Sequence, residues 1–475
     1  MKRLVVAPIL FAAVIIGLSI VPAEAQSRAK RYIVVSKSDS AVTSGVLTQI
    51  QRAKGRVVRD LSAMGLISVT SDNPDFARSI PDALAVAPDM QVSAPRPHVV
   101  TGPTIAQQNA LQRVPGPPNA QGDPLLNLEW GITAVDAQNG WARGRTGKGV
   151  LVAVLDEGVD ATHPDLAPNV RGDLSTSFAE DCTGTLENWQ PDPGFYFNHG
   201  THVAGIIAAA SNGVGTVGVA PKAQIMAVDV LSRCLGYGLD SWILDGIRYA
   251  ADHGAKIINM SLGSGPLNTN GACDANGCYT AQDVKDLLTA YTYAVRYANR
   301  KGVTVFAASG NDGFDFGAHP EYINLPSDAP GILSISATAP IGWAVNPHTN
   351  LDVPAYYSNF GTGRINFAAP GGTDEYFYTN PSATCTVAGV TVECFVFDYV
   401  FSTIPGGWAW AAGTSMATPH AAGVAAQYMS AAGGWLPPLA VEELMKAFAD
   451  HPNGNKKRDP FFGYGEVDAT VLDVH

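Results

Sequence analysis

From Glu129 onward the chain carries six short apolar runs: Val150 to Leu155, Ile225 to Leu231, Ile257 to Leu262, Val303 to Ala308, Ile332 to Ala337 and Ile365 to Ala369. Runs of this length without polar alternation are strands covered on both faces, which requires a parallel sheet between layers of helix. Helical stretches lie between them, such as Ser241 to Asp252 and Ala281 to Arg300. The expected fold is therefore α/β, with a parallel central sheet flanked by helices. Such sheets gather ligands beyond the carboxyl ends of their strands. Asp156, Ser261-Leu262-Gly263 and Asn311 all fall at strand ends of this kind.

A second constraint comes from Gly413-Thr414-Ser415-Met416-Ala417-Thr418-Pro419-His420, a Gly-turned entry into a helix with a hydroxyl in its first turn. There the Ser415 N–H and the positive end of the helix can hold an oxyanion. Serine is a weak nucleophile at neutral pH and needs a base and a group to orient that base. Candidates are His199, in His199-Gly200-Thr201-His202, and Asp156, which ends the run from Gly149. His163, His202 and His420 lie nearby but are assigned no catalytic role. Phe306-Ala307-Ala308-Ser309-Gly310-Asn311-Asp312 adds an amide donor in Asn311.

These four stretches, in this order, resemble those of the subtilisin-like serine proteases, from about Trp130 to Gly465. The resemblance implies a subtilisin-like fold, with Asp156, His199 and Ser415 as catalytic triad and Asn311 in the oxyanion hole. Ser261, Leu262 and Gly263 would form the edge that binds substrate backbone. It implies no cofactor for catalysis, and protein or peptide substrates. The assignable pocket walls, Leu262, Ala307, Ala308 and Ser309, carry no charge and suit apolar or aromatic side chains. A structural calcium is suggested by Asp165, Asn212 and the backbone of Ala210, Val214 and Thr216, with Asp123 or Asn127 as substitutes for an N-terminal ligand that does not align.

Of 475 residues, 46% are hydrophobic and 15% charged, which fits a packed globular enzyme. A net charge of −12 lacks the basic footprint of nucleic-acid binding. Lys2 and Arg3, the apolar stretch from Leu4 to about Val21, and Ala23-Glu24-Ala25 read as an export signal over residues 1–25. The expected destination is secreted, extracellular or periplasmic, with no membrane segment after signal removal. The six cysteines suit such an oxidising compartment. Cys273 and Cys278 close a short turn, Cys385 and Cys394 bracket a hairpin pattern, and Cys182 is left with Cys234.

Residues 26 to about 95 alternate strand and helix signals in a β-α-β-β-α-β rhythm, a ferredoxin-like module. Its position resembles the family's propeptide, which would act as folding aid and intramolecular inhibitor. Residues 96–125, punctuated by prolines, read as an extended linker. The peptidase domain then occupies residues 126–475. Gly265 to about Thr280 and Gly371 to Ala411 look like insertions directed at the active edge.

Overall fold

The computed structural model describes residues 29–94, 98–107, 122–194, 196–274, 277–454 and 457–470. The export signal read over residues 1–25 lies outside them, as do parts of the linker. The amino-terminal unit consists of β1 (Lys30–Val35), α1 (Ser44–Arg52), β2 (Arg56–Leu61), β3 (Leu66–Ser71) and β4 (Ala85–Pro88). Its four strands are antiparallel in the order β2-β3-β1-β4, the order of a ferredoxin-like sheet. The second helix expected from Asp75 is reduced to a single 3-10 turn, Ala77–Ser79. Two further strands follow, β5 (Gln91–Val92) and β6 (His98–Thr104).

The main body opens with β7 (Leu151–Asp156) and α2 (His199–Ala208), then β8 (Gln224–Asp229), β9 (Gly238–Leu239), α3 (Asp240–Asp252) and β10 (Ile257–Met260). It continues through α4 (Ala281–Arg300), β11 (Thr304–Ala308), β12 (Ile332–Ala339) and β13 (Phe367–Pro370). β14 (Val400–Ile404), β15 (Gly407–Ala412), α5 (Thr414–Ala431) and α6 (Pro438–Phe448) complete it. The central sheet runs β12-β11-β10-β7-β8, all parallel, and β13 joins β12. Its edges are extended by Val353–Pro354, antiparallel, and Thr176–Ser177.

Successive residues of each strand feed opposite cores, as the pleat requires. Val152 and Val154 pack toward α2 and α5, while Ala153 and Leu155 pack toward α3 and α4. Both faces are dry, which explains the unbroken apolar runs. The amino-terminal sheet shares the second core: Ile33, Val35, Leu66 and Ala87 join Trp242, Ile243 and Leu287. Its other face packs on α1 through Val34, Ile50 and Val69.

All three disulfides are those expected: Cys182–Cys234, Cys273–Cys278 and Cys385–Cys394. The segment read as an insertion from Gly371 divides in two. Its first half carries the exposed hairpin Thr384–Val387/Val390–Glu393, and its second half, β14 and β15, is buried. β14 lies against α2, where Ser402 Oγ donates to the His202 carbonyl and Thr403 Oγ to the Thr201 carbonyl, each at 2.8 Å. Gly205 makes that approach possible, since a Cβ there would sit 2.3 Å from both hydroxyl oxygens. Alanine in a helix interior ordinarily gains about 0.5–1 kcal/mol over glycine. Overpacking at a closed interface costs about 1–3 kcal/mol and should win. Gly205→Ala, compared with its parent in a Ser415→Ala background by denaturant unfolding, is therefore expected to lose stability; a gain would show that β14 yields.

Candidate active site

β7 ends on Asp156 and α2 begins on His199, so a strand end meets a helix start. The contact depends on Gly200, where a Cβ would fall 2.2 Å from the Gly158 carbonyl and 3.1 Å from Asp156 Cβ. Asn198 caps α2 by accepting the Thr201 N–H at 2.9 Å. His199 Nδ1 lies 2.9 Å from both carboxylate oxygens of Asp156, and the pair is buried. That contact fixes the tautomer, leaving Nε2 buried without a partner and free to accept.

Ser415 is the second residue of α5, where an amide N–H has no carbonyl one turn back to bond. Pro419 stands four residues on and cannot donate to the Ser415 carbonyl. Ser261 Oγ takes that place, donating to the Ser415 carbonyl at 2.8 Å. Ser415 Oγ in turn donates to the Ser261 carbonyl at 3.2 Å. In this rotamer the hydroxyl points at β10's end rather than at His199 Nε2. α2 and α5 pack against each other, which keeps the imidazole and the hydroxyl on one edge.

Asn311 is held by its oxygen, which accepts the Thr414 N–H at 2.9 Å and the Thr414 hydroxyl at 2.7 Å. Its Nδ2 lies 2.9 Å from where a Cβ on Gly413 would be, so glycine at 413 leaves that donor uncovered. Asn359, which sequence reasoning missed, organises the loop. Its oxygen accepts the N–H groups of Asp312 and Phe314, both at 2.9 Å, and its amide donates to the Ser309 carbonyl at 2.9 Å. No local motif marks Asn359, because it arrives from a distant turn.

The substrate edge expected at Ser261-Leu262-Gly263 is occupied by the chain itself. Ser93 N–H donates to the Gly263 carbonyl at 3.3 Å and Gly263 N–H to the Ser93 carbonyl at 3.1 Å. On its other side β5 pairs antiparallel with β9, Val92 opposite Gly238. A cavity of about 550 Å³ is lined by Val92, Ser93, Glu157, His199, Leu231 and Arg233. A second, of about 380 Å³, is lined by Ser93, Leu262, Ala308, Asn311, Asp312 and Asn324. Ala308 and Leu262 are walls as expected, whereas Ala307 and Ser309 are not among its lining residues, and Asp312 adds a carboxylate.

Glu157 was visible beside Asp156 but had no assigned role. Its carboxylate accepts the His199 N–H and the Asn198 amide, and Arg233 donates to its carbonyl at 2.7 Å. Arg233 also pairs with Glu187 at 3.0 Å and stands beside the Cys182–Cys234 bridge. Burial, and then the Asp156 charge, raise the Glu157 carboxyl to about 7. For His199, burial pulls the imidazole down, but the Asp156 charge, its hydrogen bond and Glu157 outweigh it, and the net direction is up. The other histidines are neutral structural groups, lowered chiefly by burial to about 4 at His163, 3 at His202 and 4 at His420. Each has a ring nitrogen on a backbone carbonyl, of Gly407, Ala409 and Met416 respectively.

The loop suggested for calcium is wired by hydrogen bonds. Asp165 Oδ2 accepts Thr216 N–H at 3.0 Å and Trp408 Nε1 at 2.9 Å, while Asn212 Oδ1 accepts Val214 N–H at 2.9 Å. Asp123, one of the two proposed substitutes, accepts Asn212 N–H at 3.0 Å and Gly213 N–H at 2.7 Å. Asp165 Oδ1 is buried without a partner. One free oxygen falls short of the six or more that calcium takes. Among the described residues no group of three or more His, Cys, Asp or Glu could hold a metal. The residues as arranged do not fit the ion.

The model of the subtilase family matches residues 147–465, more than half of the chain. An extracellular basic protease of Dichelobacter nodosus is 32% identical over 400 residues, covering 76% of this chain and 57% of the relative. A subtilisin of Bacillus pumilus is 34% identical over 312 residues, 65% of this chain and 87% of the relative. Among solved structures, fervidolysin of Fervidobacterium pennivorans aligns with TM-score 0.64 at 24% identity, covering 94% of this chain and 61% of that one. The epidermin leader peptide processing protease of Staphylococcus aureus aligns with TM-score 0.69 at 21% identity, covering 93% and 97%. The chain belongs to the subtilase family, with a subtilisin-like fold. It spans 57% and 63% of the lengths of the Dichelobacter protease and of subtilisin E from Bacillus subtilis.

An anion at Glu157 stabilises the His199 cation, so removing its charge should make the imidazole easier to deprotonate. The groups facing Glu157 are Asp156, His199, Arg233 and, at longer range, Tyr196. Glu157→Gln, which keeps the acceptor for the His199 N–H, is expected to move the acid limb of kcat/KM to lower pH. The plateau should stay within about threefold. An unshifted limb would remove Glu157 from the electrostatics of the base.

Proposed function

We propose that this chain is a secreted serine endopeptidase made as an autoinhibited precursor. The observation that carries the reading is the convergence at one sheet edge of the buried Asp156–His199 pair, Ser415 at a helix start and the Asn311 donor. Ser415 Oγ rotates to His199 Nε2, which takes its proton as the oxygen attacks the peptide carbonyl. The tetrahedral oxyanion is held by the Ser415 N–H and Asn311 Nδ2. His199 returns the proton to the leaving amine, and water then cleaves the acyl-enzyme by the same path in reverse. Asp156 stabilises the imidazolium throughout and keeps its own charge. No step calls for a cofactor.

Residues 26–95 act in this reading as the inhibiting propeptide, and 96–125 as the segment that is cut. Support comes from the docking. Asp89 accepts Ser241 N–H at 2.8 Å and Ser241 Oγ at 2.6 Å at the start of α3, and Arg59 pairs with Asp245 at 3.1 Å. The unit's last strand then lies in the cleft as a bound peptide would. Export is supported by the amino-terminal sequence, by the three disulfides and by the extracellular relative. Among the described residues no helix is long and apolar enough to cross a membrane.

Wild type should react with a fluorophosphonate at Ser415, and Ser415→Ala should retain less than about a thousandth of the activity. In a protease-free host the variant should also accumulate with residues 26–95 attached. Labelling elsewhere, or normal trimming of the variant, would overturn the catalytic and the self-processing assignments respectively. Calcium is not part of this reading: with the Asp165 and Asn212 oxygens already engaged, EDTA should leave the melting temperature of Ser415→Ala within about 2 °C, against the larger drop that loss of a tightly bound ion causes.

A further inference from the structure

Beyond the substrate edge at Gly263, the chain makes a second strand pairing beside Ser415. β6 adds antiparallel to β15, giving a three-stranded sheet β14-β15-β6. His98 stands opposite Ala412, Val99 opposite Ala411 and Val100 opposite Trp410. β15 leads straight into Gly413-Thr414-Ser415, so the amino-terminal end of β6 is the end nearest the nucleophile. Ser93 is on one side of the active edge and His98 on the other, five positions apart. One polypeptide therefore arrives along Gly263 and leaves along β15.

β6 fills a shaped slot. Val99 packs toward the core that includes Ala411, and Val100 toward the cluster of Phe397, Phe401 and Trp410. At Gly102 a Cβ would meet the Trp408 carbonyl at 2.8 Å and the rings of Phe401 and Trp410 at 3.0 and 3.1 Å. β6 is nonetheless an edge strand held weakly. Its register slips between Gly407 and Ala409, Pro103 brings no N–H, and Thr101 is exposed. Without β6, the outer edge of β15 would offer unpaired backbone groups running up to Ser415.

We propose that this outer edge of β15 is a binding strand for the part of a substrate that follows the cut bond. β6 occupies it in the precursor and must leave before long substrates can be cleaved. The ligand is an extended polypeptide, joined by backbone pairing. Small or β-branched apolar side chains suit the positions of Val99 and Val100, and glycine the position of Gly102. The proposal rests on the endopeptidase reading, but it adds a site on the far side of the bond.

The test uses enzyme matured from the full wild-type chain, with its amino terminus sequenced. Two substrates are compared: a short peptide p-nitroanilide, with nothing peptidic after the cut, and an internally quenched peptide extending six residues beyond it. The synthetic peptide of residues 98–107, added in excess, should raise the apparent KM of the quenched peptide by about tenfold and that of the nitroanilide by less than about twofold. The same peptide with Gly102→Val should do neither. Equal inhibition of both substrates, or of neither, would overturn the proposal. So would a matured enzyme that keeps residues 98–104 and cleaves the quenched peptide freely. Absence of nitroanilide hydrolysis together with absence of fluorophosphonate labelling would instead sink the endopeptidase reading, and the β15 site with it.

Discussion

The buried contact between Asp156 and His199 sets the arrangement of everything around it. Placing a carboxylate and an imidazole in a dry site is costly unless each finds a partner. Here the partner is the other, with His199 Nδ1 2.9 Å from both oxygens. The contact forms only because β7 stops at Asp156, α2 starts at His199, and Gly200 lets the helix touch the strand end. The electrostatics are then shared with Glu157, whose carboxylate accepts the His199 N–H at the same helix start. The base of the site is thus coupled to a second carboxylate one residue from its orienting aspartate.

The serine half is assembled differently. A proline at 419 and a glycine at 413 each remove something. Pro419 removes a helical hydrogen bond and frees the Ser415 carbonyl for Ser261, while Gly413 removes a side chain and uncovers Asn311. Both absences serve to lock β10, β11 and α5 together at one edge. The segment that looked like a surface insertion is also part of this assembly. Its β14 and β15 bond α2 through Ser402, Thr403 and His202, and its Trp408 reaches Asp165. The neutral histidines at 163 and 202 are therefore brackets on the β14-β15 hairpin rather than proton carriers.

Much of this was legible from the sequence. The six apolar runs correspond to β7, β8, β10, β11, β12 and β13, although the last is displaced, to Phe367–Pro370. Four motifs located Asp156, His199, Ser415 and Asn311, and cysteine spacing located the bridges. These features are local: periodicity, a turn glycine, a short loop between two thiols. Asn359 was invisible because its partners at Ser309, Asp312 and Phe314 are some fifty positions away. The calcium suggestion erred for a related reason. The sequence shows that Asp165 and Asn212 carry oxygens, but not that Trp408, Thr216 and Val214 have already claimed them.

Residues 98–104 mark the boundary most clearly. Their prolines and lack of periodicity read as an extended linker, and extended they are. An edge strand needs no pattern of its own, since one partner's backbone supplies its hydrogen bonds and the partner's neighbours decide which side chains fit. The sequence by itself determined the parallel sheet, the chemistry at its carboxyl edge and the three disulfides, because each is written in neighbouring residues. Only the tertiary structure decided that Ser93 lies on Gly263 and β6 on β15, and that Glu157 faces the start of the histidine helix. Those contacts join segments far apart in the chain, and their energies depend on shape and burial that no single segment contains.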